Sequence, residues 1–404
     1  MTDAKKDYDF HKESHTERMV INMGPSHPAT HGTVRFFLKL DGEKIVHCET
    51  EIGYLHRGFE KHCENGSWTQ AFPYTDRLNY NSAIQNNVAY AMTVEKLMGV
   101  ADKMPERGVY IRTIMCEFAR MADHYTNLGA AALELGALTA FIYFVEAREL
   151  VWDIIESVCG ARLTSNYIRI GGHASDLPEN FKAHVKKVFA TNRELYEDFD
   201  KLLTKNRIFL DRMRDTGSIS VEEAIQYGFT GPCLRACGVE YDVRRAQPYL
   251  LYDQLDFDVP VGSTGDNFDR YLVRMEEIRQ SMRIIEQAIE TLPEGPINIA
   301  DPAVRQPSKE GVNTVMEMMI FHFKNEIEGI QVPRGEAYFP TEGSNGEVGF
   351  YLVSDGGGKP YKCRVRPPCF AMTQAMGRMV EGAFLADLIP TFDMINLIGG
   401  ECDR

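Results

Sequence analysis

Nine cysteines occur in this 404-residue chain, Cys48, Cys63, Cys116, Cys159, Cys233, Cys237, Cys363, Cys369 and Cys402, yet no two form a C-x-x-C pair. That excludes the usual thiolate frameworks for zinc and iron–sulfur clusters, so the chain is expected to bind no metal or cluster of its own. Cys233 and Cys237 are one helical turn apart, but Pro232 and Gly238 flank them, and they read as buried structural thiols. There is no basic run and no interleaving of aromatic with basic side chains; 58 acidic against 44 basic residues give a net charge of −14. Nucleic acid is therefore not an expected partner. No secretory leader is expected, since residues 1–20 are polar without an apolar centre, and scattered cysteines then point to a reducing interior. A bilayer-spanning helix needs ~20 apolar residues. The stretch that tempts this reading, Leu128 to Val145, is interrupted by Glu134 and Gly136 and reads as helical core, in which a buried Glu134 needs a partner. Asp355-Gly356-Gly357-Gly358 before Lys359 lacks the P-loop spacing, which argues against a nucleotide site. Repeats and low-complexity segments are absent.

What is present is ordinary globular composition, 44% hydrophobic and 25% charged, with an unusual loop. In Gly24-Pro25-Ser26-His27-Pro28-Ala29-Thr30-His31-Gly32, prolines disfavour a helix, so two imidazoles are displayed on a rigid loop. Loops on a scaffold carry chemistry disproportionately. Around it, alternation in Met19–Ile21, Val34–Leu38 and Ile45–Cys48, with a turn at Asp41-Gly42, predicts a small antiparallel sheet. The period then changes to about 3.6 residues and predicts helices over about 84–97 (closed by Gly99), 105–129, 138–159, 181–204 and 268–292. Alternation returns in Gly335–Pro340, Gly346–Ser354 and Tyr361–Val365, and a last helix is predicted over about 372–388. The expected organisation is a flexible tail (1–17), a β-sheet with the histidine loop (18–66), a helical bundle (67–328), and hairpins, final helix and terminal segment (329–404), integrated into one α+β domain.

The histidine loop is followed in order by Ile52-Gly53-Tyr54-Leu55-His56-Arg57-Gly58-Phe59-Glu60-Lys61, Pro73-Tyr74-Thr75-Asp76-Arg77-Leu78-Asn79-Tyr80, Leu135-Gly136-Ala137-Leu138-Thr139, Gly160-Ala161-Arg162 and the terminal Gly400-Glu401-Cys402-Asp403-Arg404. Together these resemble the hydrogenase-like D, or 49 kDa-type, subunit of respiratory NADH:quinone oxidoreductase, complex I, from about Val20 to the C-terminus. That family is similar in turn to the nickel–iron hydrogenase large subunit. The positions matching the hydrogenase's first cysteine pair are here Asn79 and Ser82, which cannot replace thiolates toward a soft metal. The resemblance thus implies a hydrogenase-like fold without its metal. The old metal cavity would serve a quinone headgroup, with quinone as substrate.

The resemblance also implies roles for particular residues. His31 and Tyr80 map onto the headgroup ligands. An imidazole and a phenol can each donate a hydrogen bond to a quinone carbonyl and then a proton to the reduced species. Glu134 stands where the family usually carries an aspartate partnering the loop histidine, one methylene longer here. Arg57 matches an arginine facing the terminal iron–sulfur cluster of the adjacent subunit, where a cation stabilises the reduced cluster; the plain alternative is a surface pair with Glu60. Thr164 stands where many relatives have a histidine near that cluster. Asp403 and Arg404 are expected to pair with one another in the former cavity. The implied complex is a proton-pumping translocase. Its FMN and iron–sulfur clusters reside in partner subunits: a small hydrogenase-like cluster subunit, a 30 kDa-type subunit, a two-cluster ferredoxin-like subunit and a membrane-arm subunit. The expected location is peripheral, on the cytoplasmic face of a bacterial inner membrane. A quinone-neutral structural subunit and a true hydrogenase large subunit are the alternative classes; the missing thiolates argue against the second.

Threonine cannot titrate as histidine does, so the neighbouring cluster is expected to show a potential only weakly dependent on pH. Redox titration of that cluster at several pH values checks this, and a full proton-coupled slope refutes it.

Overall fold

Strand alternation builds the first element. In the computed structural model, which describes residues 18–404, β1 (Met19–Met23), β2 (Arg35–Asp41) and β3 (Lys44–Glu51) form an antiparallel sheet in that order. Phe36, Leu38 and Leu40 point to one buried face, as a period of two requires. The tail expected over 1–17 lies outside the described residues. The inner face of the sheet packs on Met376, Phe392, Ile395 and Ile398, so the two ends of the chain share one apolar core.

Five long helices carry the main core: α1 (Ala83–Met98), α2 (Glu106–Glu134), α3 (Leu138–Cys159), α4 (Phe181–Leu203) and α5 (Asn267–Glu290). They fall on the five expected segments, with α2 running further than its sequence pattern suggests. α3 shows why periodicity works: Ala140, Phe144, Ala147, Val151, Ile154 and Val158 form one buried stripe. The stretch from Leu128 to Val145 is not a single core helix. The chain turns at Leu135–Ala137, and Glu134 ends α2 in solvent, where it needs no buried partner. Among the described residues, no helix is long and apolar enough to cross a membrane.

α2 lies at the centre, against α1, α3 and α5, and it is charged where it is most buried. Glu117 accepts from Arg120 (3.2 Å), Arg244 (3.3 Å), Tyr252 (2.6 Å) and Ser281 (2.6 Å). Arg235 pairs with Glu342 at 2.8 Å, with Asp242 at 3.5 Å and with Glu277, whose other oxygen meets His124 Nε2 at 2.6 Å. Burial opposes ionisation of Glu277, yet Arg235 and His124 hold its carboxyl far below the usual range. Such charges persist in the core because each is paired and hydrogen-bonded. The second sheet, β4 (Gly335–Glu342), β5 (Glu347–Ser354) and β6 (Lys362–Arg366), delivers Glu342 to this network, and Arg120 donates to the carbonyls of Glu342 and Gly343.

The helix expected over 372–388 is broken. The chain forms short helices at Pro368–Gln374 and Met376–Val380, then runs along the first sheet before α6 (Leu388–Met394) and α7 (Gly399–Asp403). Ile45 N–H donates to the Ala383 carbonyl (2.9 Å), Gly382 N–H to Ile45 (2.8 Å) and Leu385 N–H to Glu43 (2.8 Å). Covering the edge of β3 satisfies backbone groups that a continuous helix would leave to solvent. The short helices Lys309–Thr314 and Met316–Ile327 lie where the sequence pattern predicts no separate element.

Replacing Arg235 by Met strands Glu277 and Glu342 without their shared cation. The expected cost is ~3–5 kcal/mol, read as a lowered denaturant midpoint of the purified chain; an unchanged midpoint would contradict the role given to the network.

Candidate functional site

The two histidines of the proline-rich loop do different work. His27 Nδ1 accepts the Ala29 N–H (3.2 Å) and caps the short turn Pro28–Thr30. Thr30 Oγ1 donates to the His27 carbonyl (2.9 Å), and Thr33 Oγ1 donates to that of Thr30 (3.1 Å). Gly24 is required here: a Cβ would lie 2.2 Å from the Val34 carbonyl oxygen. The braced turn ends at His31, which adopts a left-handed backbone (φ 53°) and is exposed, its ring centroid 6.1 Å from that of Phe392.

Tyr80 reaches the same place from the start of the bundle. Asn79 caps its turn by accepting the Asn81 N–H (3.2 Å), and its amide donates to Asp123 Oδ2 (2.7 Å) on α2. Asn79 and Ser82 are buried, and Asn79 is spent on these contacts. Among the described residues, no cluster of three or more His, Cys, Asp or Glu could hold a metal ion. Burial, with Asp123 and Cys369 nearby, raises the Tyr80 phenol above its ordinary value. His31 and Tyr80 together line a cavity of about 290 Å³, closed by Asn127 on α2 and by Phe392, Asp393, Asn396 and Ile398 of the C-terminal segment.

The terminal segment is seated by close contact. A Cβ at Gly399 would lie 2.5 Å from Thr33 Cγ2, and one at Gly400 2.5 Å from the Arg77 carbonyl oxygen, so glycine lets this backbone touch both the histidine loop and the approach to Tyr80. Arg57 Nη2 donates to the Gly400 carbonyl (2.8 Å). Burial, then Arg77, depress the Arg57 guanidinium's affinity for its proton, while Asp403 opposes them.

Two expected pairs do not form. Asp403 and Arg404 do not meet each other: the Asp403 carboxylate accepts the N–H groups of Gly53 (3.0 Å) and Leu55 (2.7 Å), and Arg404 Nε lies 3.3 Å from Glu60. A carboxylate accepting two backbone donors is better served than by one half-buried guanidinium that is already turned to Glu60. Glu60 also takes Arg364 at 2.9 Å, which leaves no Arg57–Glu60 pair. Nor does Glu134 pair with His31; among the described residues no ion pair joins them, because α2 ends with Glu134 facing water. The acid that enters the cavity is Asp393, which the sequence pattern alone did not single out. A signal was available: Asp393 is the one charged residue in the largely apolar run Leu388–Leu397, the same feature that draws attention to Glu134. Thr164 is half-buried in the loop after Arg162, and Arg162 and Ser165 share a groove with Tyr80 that His31 does not line.

Beneath the cavity, Asn396 Nδ2 donates to Asp123 Oδ1 (3.1 Å) and to Asn345, and Glu401 Oε2 faces Cys369 Sγ at 3.2 Å. Burial pushes the Glu401 carboxyl up to about 7.

A model of the respiratory-chain NADH dehydrogenase 49 kDa subunit matches residues 134–404. The chain belongs to this 49 kDa subunit family. It is 56% identical over 390 residues to the D 1 subunit of the NADH-quinone oxidoreductase of Sorangium cellulosum, with 96% of each chain covered. It is 55% identical over 389 residues to the D-type subunit of the Myxococcus xanthus enzyme, covering 96% of this chain and 93% of that one. The C/D-type subunit of the Bdellovibrio bacteriovorus enzyme is 49% identical over 384 residues, 95% of this chain and 68% of that longer one. As a complex I 49 kDa-type subunit, the chain is part of a multisubunit oxidoreductase of respiratory electron transport.

Glu401 supplies a pH test. Folding raises its proton affinity, so the folded state binds a proton that the unfolded state releases between about 4.5 and about 7. Stability from this group is full below that window and is lost as pH rises through it, by roughly 3 kcal/mol. Glu401→Gln is expected to remove that component, so the variant gains on the parent as pH rises from about 4 to about 8; parallel stability curves would contradict it.

Proposed function

We propose that this chain forms one wall of the quinone headgroup site of an NADH:quinone oxidoreductase. His31 and Tyr80 donate hydrogen bonds to the two carbonyl oxygens and protons to the reduced species. The observation that supports this most is the convergence of His31 and Tyr80, distant in sequence, on one cavity of about 290 Å³. Two-electron reduction turns the carbonyl oxygens into strong bases. A phenol held above its ordinary pKa by burial gives up its proton to such a base and to little else, which ties protonation to reduction. His31, in contact with solvent, is suited to regain its proton from water.

Electrons would come from NADH through FMN and iron–sulfur clusters in other subunits, ending at a cluster in a small hydrogenase-like partner. Arg57 and the loop bearing Thr164 are the parts of this chain proposed to face that cluster, Arg57 as the cation that favours its reduced form. A 30 kDa-type subunit is a proposed neighbour, supported by the Bdellovibrio relative, a longer polypeptide whose C/D name joins two subunit types in one. A two-cluster ferredoxin-like subunit and a membrane-arm subunit complete the proposed surroundings, with the complex on the cytoplasmic face of a bacterial inner membrane and driving proton pumping.

In the assembled complex, Tyr80→Phe and His31→Ala are each expected to lower NADH:quinone reductase activity about a hundredfold. Electron transfer from NADH to ferricyanide should stay at the parental rate. Full quinone reductase activity in both variants would reduce the chain to a structural role.

A further inference from the structure

We propose that Asp393 is a third hydrogen-bond and proton donor to the acceptor in the cavity shared by His31 and Tyr80. The inference rests on the quinone reading above and deepens it. Asp393 is 4% exposed, lines that cavity, and its Oδ2 has no hydrogen-bond partner. A buried, unpartnered carboxyl oxygen costs free energy as a carboxylate, which favours keeping the proton on the group, and the cavity that Asp393 lines is where a partner for its carboxyl would sit. Other donors of the wall are already engaged: Thr126 Oγ1 donates to the Ala122 carbonyl (2.8 Å), Asn396 Nδ2 to Asp123, and Asn127 Nδ2 to the Asp393 main-chain oxygen (2.6 Å), while the Asn127 Oδ1, also unpartnered, can only accept. The bond from Asn127 Nδ2 ties the end of α6 to α2 and fixes where the carboxyl stands, so the group is pre-positioned rather than free to swing away.

Burial, reinforced by the Glu134 carboxylate, holds the proton on Asp393 well above the usual carboxylate range. A neutral carboxyl is a donor as well as an acceptor, which suits it to a carbonyl oxygen. The step balances simply. The acceptor takes two electrons from the complex's own donor chain and two protons. Tyr80 gives one, and at the other oxygen Asp393 gives the second in place of His31, which keeps its hydrogen bond there. The Asp393 O–H bond breaks and an O–H bond forms on that reduced oxygen. Asp393 is left as a carboxylate, which regains a proton from water by way of the solvent-facing end of α2 at Glu134. With the acceptor carbonyls served by His31 and Tyr80, Asp393 makes the third contact, and its proton is the one whose transfer is hardest to replace because its site is the most buried of the three.

The test uses the assembled complex with a short-chain quinone. Asp393→Asn keeps a donor of the same shape but has no acidic proton; it is expected to lower kcat about tenfold or more while leaving KM within about threefold. Asp393→Leu removes the donor too and is expected to raise KM about tenfold in addition. Tyr80→Phe is measured beside them. If both Asp393 variants keep parental kcat and KM while Tyr80→Phe is impaired, the Asp393 proposal falls and the headgroup reading stands. If Tyr80→Phe is unimpaired as well, the headgroup reading falls and takes this proposal with it.

Discussion

The constraint on which the site depends is the close seating of the C-terminal backbone between two segments of the N-terminal third. Gly399 touches Thr33 of the histidine loop, Gly400 touches the carbonyls before Tyr80, and Arg57 and the N–H groups of Gly53 and Leu55 take up the terminal carbonyl and carboxylate. A side chain at either glycine would push these walls apart. With the segment in place, Phe392 meets His31, Asp393 faces inward and Asn396 spans to α2. The cavity is therefore a product of assembly between distant parts of the chain, and its residues come from stretches that share no local structure.

Behind the cavity lies an interior more polar than its helical pattern implies. Glu117, Asp242, Glu277 and Glu342 are interleaved with Arg120, Arg235 and Arg244, all buried. A network of this kind is a poor source of net stability, since desolvation offsets much of the attraction, but it is strict about geometry: every member must be matched. It locks α2, α5 and the second sheet into one register. That rigidity is transmitted to Asp123 and His124 on α2, and Asp123 holds Asn79 beside Tyr80. Precision in the core thus reaches the site through the backbone of a single long helix.

Most of the architecture is legible because it follows from period. The strands at 19–23, 35–41 and 44–51 and the five long helices rest on local alternation or on a 3.6-residue stripe, and both survive in the fold because burial rewards them. The segment 372–388 misleads because its pattern is helical, whereas backbone pairing with the edge of β3 competes with the helix and wins, through partners far away in sequence. The pairings Glu134–His31 and Asp403–Arg404 fail for the same reason. Complementary charge in a sequence names possible partners, but Glu134 ends its helix in water, and the Asp403 carboxylate finds better donors in two backbone amides.

By itself the sequence determined the residue types of the site and the chemistry they permit. An imidazole on a braced loop, a phenol after an asparagine, and no thiolate pair for a metal are properties of composition and spacing. Only the tertiary structure decided which groups meet, and it substituted Asp393 for Glu134 as the acid within the cavity. The physical reason is that burial, and with it the ionisation of a carboxyl, is set by what packs over it. For Asp393 part of that covering comes from α2, whose Asn127 side chain bonds its main-chain oxygen and which lies far earlier in the chain.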